Sequence, residues 1–110
     1  MALLDTSDPR PVHFVGIAGA GMSALAELFL RRGVPITGCD ANPSGAADLE
    51  RLGVVVTAHD PKHVDGARAL VVTSAMPKDH PELVRAREIG VPVIRRAEAL
   101  GEVTVGRELV

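Results

Sequence analysis

The chain has 110 residues, which allows one domain with a three-layer core and leaves no room for a second domain of similar size. The sequence contains ten arginines and two lysines against fourteen acidic residues, which gives a formal net charge of -2. A basic surface for non-specific nucleic-acid binding is therefore not expected. Two phenylalanines are the only aromatic residues besides histidine, which excludes an aromatic platform for stacking bases.

The hydrophobic pattern alternates strands with helices. Strands are predicted at 12–16, 34–40, 54–57, 67–74 and 91–94, and helices from the first glycine turn to Gly33 and at 48–52, 81–89 and 97–103. Pro81 starts one of these helices and Gly90 follows it, as is typical of helix ends. Residues 1–11 are interpreted as an N-terminal extension, 12–103 as the domain, and 104–110 as the start of a linker.

This alternation predicts the fold. Strands that alternate with helices pair in parallel through right-handed crossovers, so we expect a doubly wound α/β sheet of five strands in the order 3-2-1-4-5. Ligands bind such sheets beyond the carboxyl ends of the strands, where the strand order reverses. Here that point lies between the first and fourth strands, so the turn 16–23, Asp40 and the segment 73–76 are expected to lie close together there.

The turn after the first strand, GIAGAGMS, is rich in small residues, namely Gly16, Ala18, Gly19, Ala20 and Gly21. A dinucleotide fingerprint would place glycine at positions 16, 18 and 21, and alanine stands at 18, although Gly19 can supply the close backbone approach. The turn follows a strand and opens a helix, which leaves amide groups and a positive dipole end for an anion. We expect a phosphate-binding turn, with a plain packing turn as the alternative.

Polar residues end the second and fourth strands. Asp40 lies about twenty residues after the turn, where an acid accepts hydrogen bonds from a ribose diol. The alternative is a turn-forming aspartate in CDANPSG. Thr73, Ser74 and Ala75 end the fourth strand beside the turn, so a hydroxyl or an amide there can contact a ligand, with helix or turn capping as the alternative.

The histidines indicate a functional site less clearly than the turn and the strand ends do. His59 and His63 are four positions apart but lie in no predicted helix, and His13 and His80 are distant in the sequence, so a helical metal pair and a metal site are not expected. His59 and Arg96 can border a ligand, against the alternatives of a solvated loop histidine and a solvated arginine pair. The single Cys39 excludes a disulfide within the chain, and no segment reaches the ~20 apolar residues of a membrane span. A cytoplasmic protein without a membrane partner is expected.

Several motifs resemble the N-terminal domain of the Mur ligase family. The family turn GIGGAGMSG is matched at Gly16, Ile17, Gly19, Ala20, Gly21, Met22 and Ser23, and SSA(I/M) at Ser74, Ala75 and Met76. The helix motif NPE(L/V)VxAxE is matched at Pro81, Glu82, Val84, Ala86 and Glu88, and IPVIxRAExL from Pro92 to Leu100. The similarity is greatest for the branch that adds L-alanine to UDP-N-acetylmuramate, with the branch that recycles muramyl tripeptide second. Ala18 and Ala24 replace glycines of the family.

The resemblance implies a Rossmann-like domain of a bacterial ligase of peptidoglycan biosynthesis, binding the UDP part of UDP-N-acetylmuramate. It implies that Gly19, Ala20, Gly21, Met22 and Ser23 face the pyrophosphate, with Asp40 and Ser74 near the ribose or uracil. ATP and Mg²⁺ are expected in a central domain of the family, since no lysine-containing phosphate loop occurs in this sequence. The chain alone is therefore expected to be inactive and to act with the remaining ligase domains.

Two functions of other classes stay open. One is a stand-alone nucleotide-sensing module that regulates a partner without catalysis. The other is the nicotinamide-cofactor domain of an oxidoreductase, which the fold and Asp40 favour and Ala18 disfavours.

Overall fold

A computed structural model describes residues 3–108, apart from the side chains of Ala20, Pro43 and residues 104–108. Its strands and helices alternate as β1 (Val12–Val15), α1 (Ala20–Arg31), β2 (Ile36–Cys39), α2 (Ala47–Arg51), β3 (Val55–Thr57), β4 (Ala69–Val72), α3 (Pro81–Ile89), β5 (Val93–Arg95) and α4 (Arg96–Glu108). Two short 3-10 helices that the sequence pattern did not predict lie at Pro43–Ala46 and Pro61–Val64. Within the described range, no helix has both the length and the apolar character needed to cross a bilayer.

The strands form one parallel sheet in the order β3-β2-β1-β4-β5. Val12 pairs with Ile36 on one side and with Ala69 on the other, so β1 lies between β2 and β4. The predicted α/β fold and strand order are therefore confirmed, and the fold is Rossmann-like. The strand order reverses between β1 and β4, where a ligand site is expected.

The element ends differ from the predicted ones. β4 stops at Val72, so Thr73 and Ser74 lie in the turn that follows it. β5 begins at Val93, because Pro92 has no amide hydrogen to donate to the sheet. α4 continues to Glu108, so the backbone of residues 104–108 extends a helix that was expected to end at 103. Residues 109–110 of the expected linker, like residues 1–2 of the expected extension, lie outside the described part.

Side chains of the sheet divide between two cores. Phe14 packs with α1 residues, and its ring meets that of Phe29 edge-on, with centroids 5.5 Å apart. Val15 points the opposite way and packs with Leu70 of β4 and Leu83 of α3. This alternation is the two-residue period of a strand buried on both faces. It also directs His13 of β1 toward α3.

The N-terminal segment is fastened to the domain by Arg68, which is 5% exposed. The Arg68 guanidinium donates hydrogen bonds to the carbonyls of Leu3 at 2.8 Å, Asp8 at 2.7 Å and Arg10 at 3.1 Å. Leu3 itself is buried in the main core. Residues 3–11 therefore pack against the domain instead of extending away from it.

Candidate functional site

The turn between β1 and α1 is held to β2 by its own backbone. The amides of Gly16 and Ile17 both donate to the carbonyl of Cys39, at 2.8 and 3.1 Å, and the amide of Gly19 donates to the carbonyl of Gly16 at 3.2 Å. Gly16 has φ +80°, in the left-handed region that favours glycine. The first glycine of the predicted phosphate turn is therefore required by the backbone geometry.

The start of α1 has no capping side chain. Its N-cap residue is Gly19, and no acidic residue lies in the first turn. The first amides of a helix have no intrahelical acceptor, and the positive end of the helix dipole lies at the same place. The start of α1 therefore presents hydrogen-bond donors and positive potential to the carboxyl edge of the sheet, as anion-binding helices do.

The guanidinium of Arg96 lies over this helix start. A Cβ atom added at Gly21 would come within 2.8 Å of Nε and 3.1 Å of Cζ of Arg96. Arg96 is exposed, and none of the described carboxylates forms an ion pair with it. Arg96 is also the first residue of α4, so its charge lies near the positive ends of two helices. Such a placement is unfavourable by a few tenths to about 1 kcal/mol per helix end without an anion, and favourable with one.

A cavity of about 430 Å³ adjoins this point at the ends of β4 and β5. Its lining consists of Thr73, Ser74, Arg95, Arg96 and Ala97. Two polar residues predicted from the end of the fourth strand therefore meet Arg96, while Ala75 is exposed outside this lining. The cavity is large enough to hold part of a small ligand.

Asp40 is half-buried, and both of its carboxylate oxygens accept backbone hydrogen bonds. Oδ1 accepts from the amide of Asn42 at 2.9 Å, which makes the turn-forming alternative correct. Oδ2 accepts from the amide of Ala18 at 3.0 Å and so ties the turn to the end of β2. Each oxygen keeps a second lone pair, so a contact with ribose stays compatible with this geometry.

The methyl group of Ala18, which replaces a glycine of the fingerprint, packs at the edge of the main core. It faces the loop after β2, where a Cβ added at Gly45 would lie 3.3 Å from it. The side chain is thus accommodated between the turn and that loop.

A second polar cluster, between the sheet and α3, surrounds the fully buried carboxylate of Glu82. Glu82 Oε1 lies 3.0 Å from Nε2 of His13, and Oε2 accepts from Sγ of Cys39 at 2.9 Å and from the amide of Asp60 at 3.1 Å. Nδ1 of His63 lies 3.8 Å from Oε2. Burial alone would raise the pKa of Glu82, but the hydrogen bonds from His13 and Cys39 outweigh it and hold that pKa at about 2.

Burial also shifts the pKa values of the neighbouring Cys39 and His80. Burial, reinforced by the Glu82 carboxylate, raises the pKa of the Cys39 thiol, which is therefore a neutral donor. Burial and the proximity of His59 lower the pKa of His80, whose Nδ1 caps α3 by accepting from the amide of Glu82 at 3.2 Å. The interior thus holds one ionised carboxylate surrounded by donors.

The histidines make more contacts than predicted. His59 is an exposed loop residue, as the alternative held, but its Nδ1 also lies 3.0 Å from Sγ of Cys39, and its ring meets that of His80 at a centroid distance of 4.7 Å. The i, i+4 pair His59 and His63 lies outside the predicted helices and was discounted, and the other members of the cluster come from elements far apart in the sequence. The sequence feature that pointed to a buried polar cluster was His13, a polar residue inside the otherwise apolar strand VHFV.

Comparison with known proteins shows the family. The chain matches the model described as "Mur ligase family, catalytic domain" over residues 11–107. It is 50% identical over 97 residues to UDP-N-acetylmuramate–L-alanine ligase of Acidothermus cellulolyticus, covering 86% of this chain and 20% of that protein. It is 44% identical over 108 residues to the ligase of the same name from Cutibacterium acnes, covering 96% of this chain and 23% of that protein.

Solved structures show the same relationship. The UDP-N-acetylmuramate-alanine ligase MurC from Thermotoga maritima matches with a TM-score of 0.80 and 33% identity, over 89% of this chain and 23% of that one. A murein peptide ligase from Psychrobacter arcticus matches with a TM-score of 0.77 and 29% identity, over 84% of this chain and 20% of that one. The chain spans about a fifth of the length of the curated relatives it matches. On this sequence and structural similarity, the chain belongs to the Mur ligase family.

Proposed function

We propose that this chain is the N-terminal substrate-binding domain of an ATP-dependent UDP-N-acetylmuramate:L-alanine ligase, and that it holds the UDP pyrophosphate between the start of α1 and Arg96. The observation that carries the proposal is the guanidinium of Arg96 over Gly21, beside a helix start without a cap. A pyrophosphate supplies the negative charge that this arrangement lacks.

The other residues at the carboxyl ends of the strands have roles that follow from this placement of the pyrophosphate. The amides at the start of α1 donate to phosphate oxygens, and Arg96 adds a charge-assisted contact. Thr73 and Ser74 line the adjoining cavity and offer hydroxyl groups to the ribose or the uracil. Asp40, at the end of β2, accepts from a ribose hydroxyl while it holds the turn.

These residues bind and orient the substrate. Ligation in this family requires ATP and Mg²⁺, and the sequence has no glycine-rich loop ending in lysine and a hydroxyl residue that would fit them. No step of the ligation is therefore assigned to these residues, and the remaining ligase domains are the expected partners.

A ligase acting on a muramyl peptide is the second candidate, and the structural match to a murein peptide ligase favours it. A related solved structure, from Neisseria meningitides, is named a UDP-N-acetylmuramate:L-alanyl-gamma-D-glutamyl-meso-diaminopimelate ligase. Its name and that of the alanine ligases share UDP-N-acetylmuramate and differ in what is joined to it. The ligand proposed for this domain is the shared part.

Isothermal titration calorimetry of the chain with UDP-N-acetylmuramate, UDP, NADH and ATP tests the proposal. We expect selective binding of the two uridine ligands, weakened about 10- to 100-fold by Arg96→Ala, since a hydrogen bond to a charged group contributes about 1.5–3 kcal/mol. Arg31→Ala is the matched control, because it removes the same charge at the exposed opposite end of α1. Gly21→Val should also weaken binding, by filling the space under Arg96.

Two results would contradict the proposal. One is uridine binding that survives both Arg96→Ala and Gly21→Val unchanged, which would place the ligand elsewhere. The other is tighter binding of NADH than of either uridine ligand, which would favour the nicotinamide-cofactor domain.

A further inference from the structure

Four side chains that can ligate a metal converge between the sheet and α3. His13 comes from β1, Cys39 from the end of β2, His63 from the 3-10 helix Pro61–Val64 and Glu82 from α3, and their ligand atoms all lie within 4.8 Å of one another. The first, second and fourth are buried, and the side chain of His63 is 25% exposed. We infer that this cluster is a binding site for one divalent transition-metal ion, best matched by Zn²⁺, separate from the proposed nucleotide site.

Both histidines are oriented as metal ligands are. Nδ1 of His13 lies 2.8 Å from Oγ1 of Thr37, and Nε2 of His63 lies 3.0 Å from Oγ1 of Thr57. In each ring the outer nitrogen is thus held by a threonine hydroxyl, and the other nitrogen faces the cluster. Hydrogen bonds of this kind fix the tautomer and the ring orientation of metal-bound histidines.

One ligand atom has no partner in the metal-free structure. Nδ1 of His63 is buried and forms no hydrogen bond with any group in the described part of the chain. Its nearest charged neighbour in the cluster is Oε2 of Glu82, at 3.8 Å. A buried polar atom without a partner is rare and costs stability. An ion at the centre of the cluster would supply the missing partner.

The distances fit a four-coordinate site after a small rearrangement of the side chains. Bonds of about 2.0–2.3 Å to a tetrahedral Zn²⁺ place ligand atoms roughly 3.3–3.8 Å apart. Oε1 of Glu82 lies 3.0 Å from Nε2 of His13, and Oε2 lies 2.9 Å from Sγ of Cys39 and 3.8 Å from Nδ1 of His63, while all separations among the four ligand atoms stay within 4.8 Å. When an ion replaces the hydrogen bonds, the two short contacts must lengthen by a few tenths of an ångström, and any separation above the tetrahedral range must shorten.

The donor set selects the class of ion. Two imidazoles and one thiolate suit Zn²⁺ and its neighbours, whereas Mg²⁺ and Ca²⁺ prefer a shell of oxygen atoms. With Cys39 as thiolate, Glu82 as carboxylate and both histidines neutral, the two negative charges balance a divalent ion. The site would then bury no net charge, which is the condition for burying ions at low cost.

A route from solvent reaches the cluster. A cavity of about 280 Å³ has His13, His63 and their partners Thr37 and Thr57 in its lining. On another side, His59 lies against Cys39, with Nδ1 3.0 Å from Sγ and 3.5 Å from Oε2 of Glu82. An ion can therefore enter past His63, the most exposed of the four ligands.

Binding must release a proton. The thiol of Cys39 donates to Glu82 in the metal-free protein, and a metal–sulfur bond forms only as the sulfur–hydrogen bond breaks and the proton leaves to solvent. The affinity should therefore rise with pH.

Titration of the chelator-treated, reduced chain with Co²⁺ and then Zn²⁺ tests the inference. We expect one Co²⁺ per chain, a thiolate-to-cobalt charge-transfer band, visible bands of tetrahedral intensity, and loss of all of them when Zn²⁺ displaces Co²⁺. Titrations in buffers of different ionisation enthalpy should show at least one proton released per Zn²⁺.

Three variants make the test specific. His63→Gln should weaken Co²⁺ binding at least tenfold, and it alters the least buried ligand. Cys39→Ser should abolish the charge-transfer band. His80→Asn is the matched control: it lies outside the four ligands and keeps a good N-cap for α3, so the spectrum should be unchanged.

Circular dichroism and urea unfolding of each variant establish that it is folded. A folded wild-type chain with no charge-transfer band overturns the inference. So does Co²⁺ binding that is unchanged in both folded ligand variants.

Discussion

Replacing Gly38 with alanine should destabilise the domain, because the new methyl group has no room. Gly38 lies in β2 and pairs with Phe14 of β1 and Val56 of β3, so the backbone around it cannot move freely. An added Cβ would collide with the side chain of Ile17, lying 2.7 Å from its Cγ2 and 2.8 Å from its Cβ. Ile17 is fully buried, and its amide is bonded to the carbonyl of Cys39, so it cannot retreat without loosening the turn.

Overpacking of this kind costs about 1–3 kcal/mol. In urea unfolding followed by circular dichroism, Gly38→Ala should lower the midpoint at an unchanged m-value. The midpoint of thermal unfolding should fall by roughly 4–8 °C for each kcal/mol lost. Because Ile17 belongs to the turn, the proposed binding of UDP should weaken as well.

Gly101→Ala is the matched control. Gly101 lies inside α4, and nothing lies within 4 Å of an added Cβ there. The same substitution should therefore raise the free energy of unfolding by about 0.5–1 kcal/mol, because alanine favours the helix. If Gly38→Ala is as stable as the wild type while Gly101→Ala shows its expected gain, an added methyl group does not clash with Ile17, and the prediction is wrong.

Three further predictions concern other contacts. Arg68→Lys should lower the free energy of unfolding, measured by urea unfolding, by at least about 2 kcal/mol, because one ammonium cannot reach three carbonyls as the guanidinium does. Faster tryptic cleavage near the N-terminus should accompany the loss. The pKa of Glu82 falls from 4.5 to about 2 on folding, so its contribution to stability is complete above pH 4.5 and is lost as the pH falls toward 2. Glu82→Gln should therefore flatten the decline of stability over that interval, and an equally steep decline in the variant would contradict the assignment. Gly90→Ala should cost about 1 kcal/mol in the same urea assay, since Gly90 ends α3 at φ +77°.

The sheet order could be predicted, because it follows from local patterns. Strand and helix periods alternate along the chain, and right-handed parallel crossovers leave few arrangements. The turn at 16–19 was also predictable, since Gly16 requires a backbone that other residues rarely adopt. These features depend on residues close together in the sequence.

The features that could not be predicted depend on contacts between distant residues. His13 and Glu82 are 69 positions apart, and periodicity indicates which face of β1 a side chain occupies without indicating what it meets there. Arg96 was singled out beside Arg95 as a candidate ligand contact, but the sequence did not indicate what it lies against. The end of β5 and the start of α4 fall between these two arginines, and this boundary directs Arg96 over Gly21. The end of α4 was set too early, because no proline and no αL glycine motif marks it in the sequence.

The anchoring of the N-terminal segment by Arg68 bears on the order in which the chain folds. The three carbonyls that Arg68 holds lie 58 to 65 positions earlier in the sequence. During synthesis, residues 3–10 must therefore wait for the start of β4 before they reach their final positions. Closing so long a loop carries an entropic cost before the contact forms, which places this step late in folding. Residues 3–10 are thus synthesised before β4 but become ordered only with it, and they stay accessible to chaperones and proteases until then.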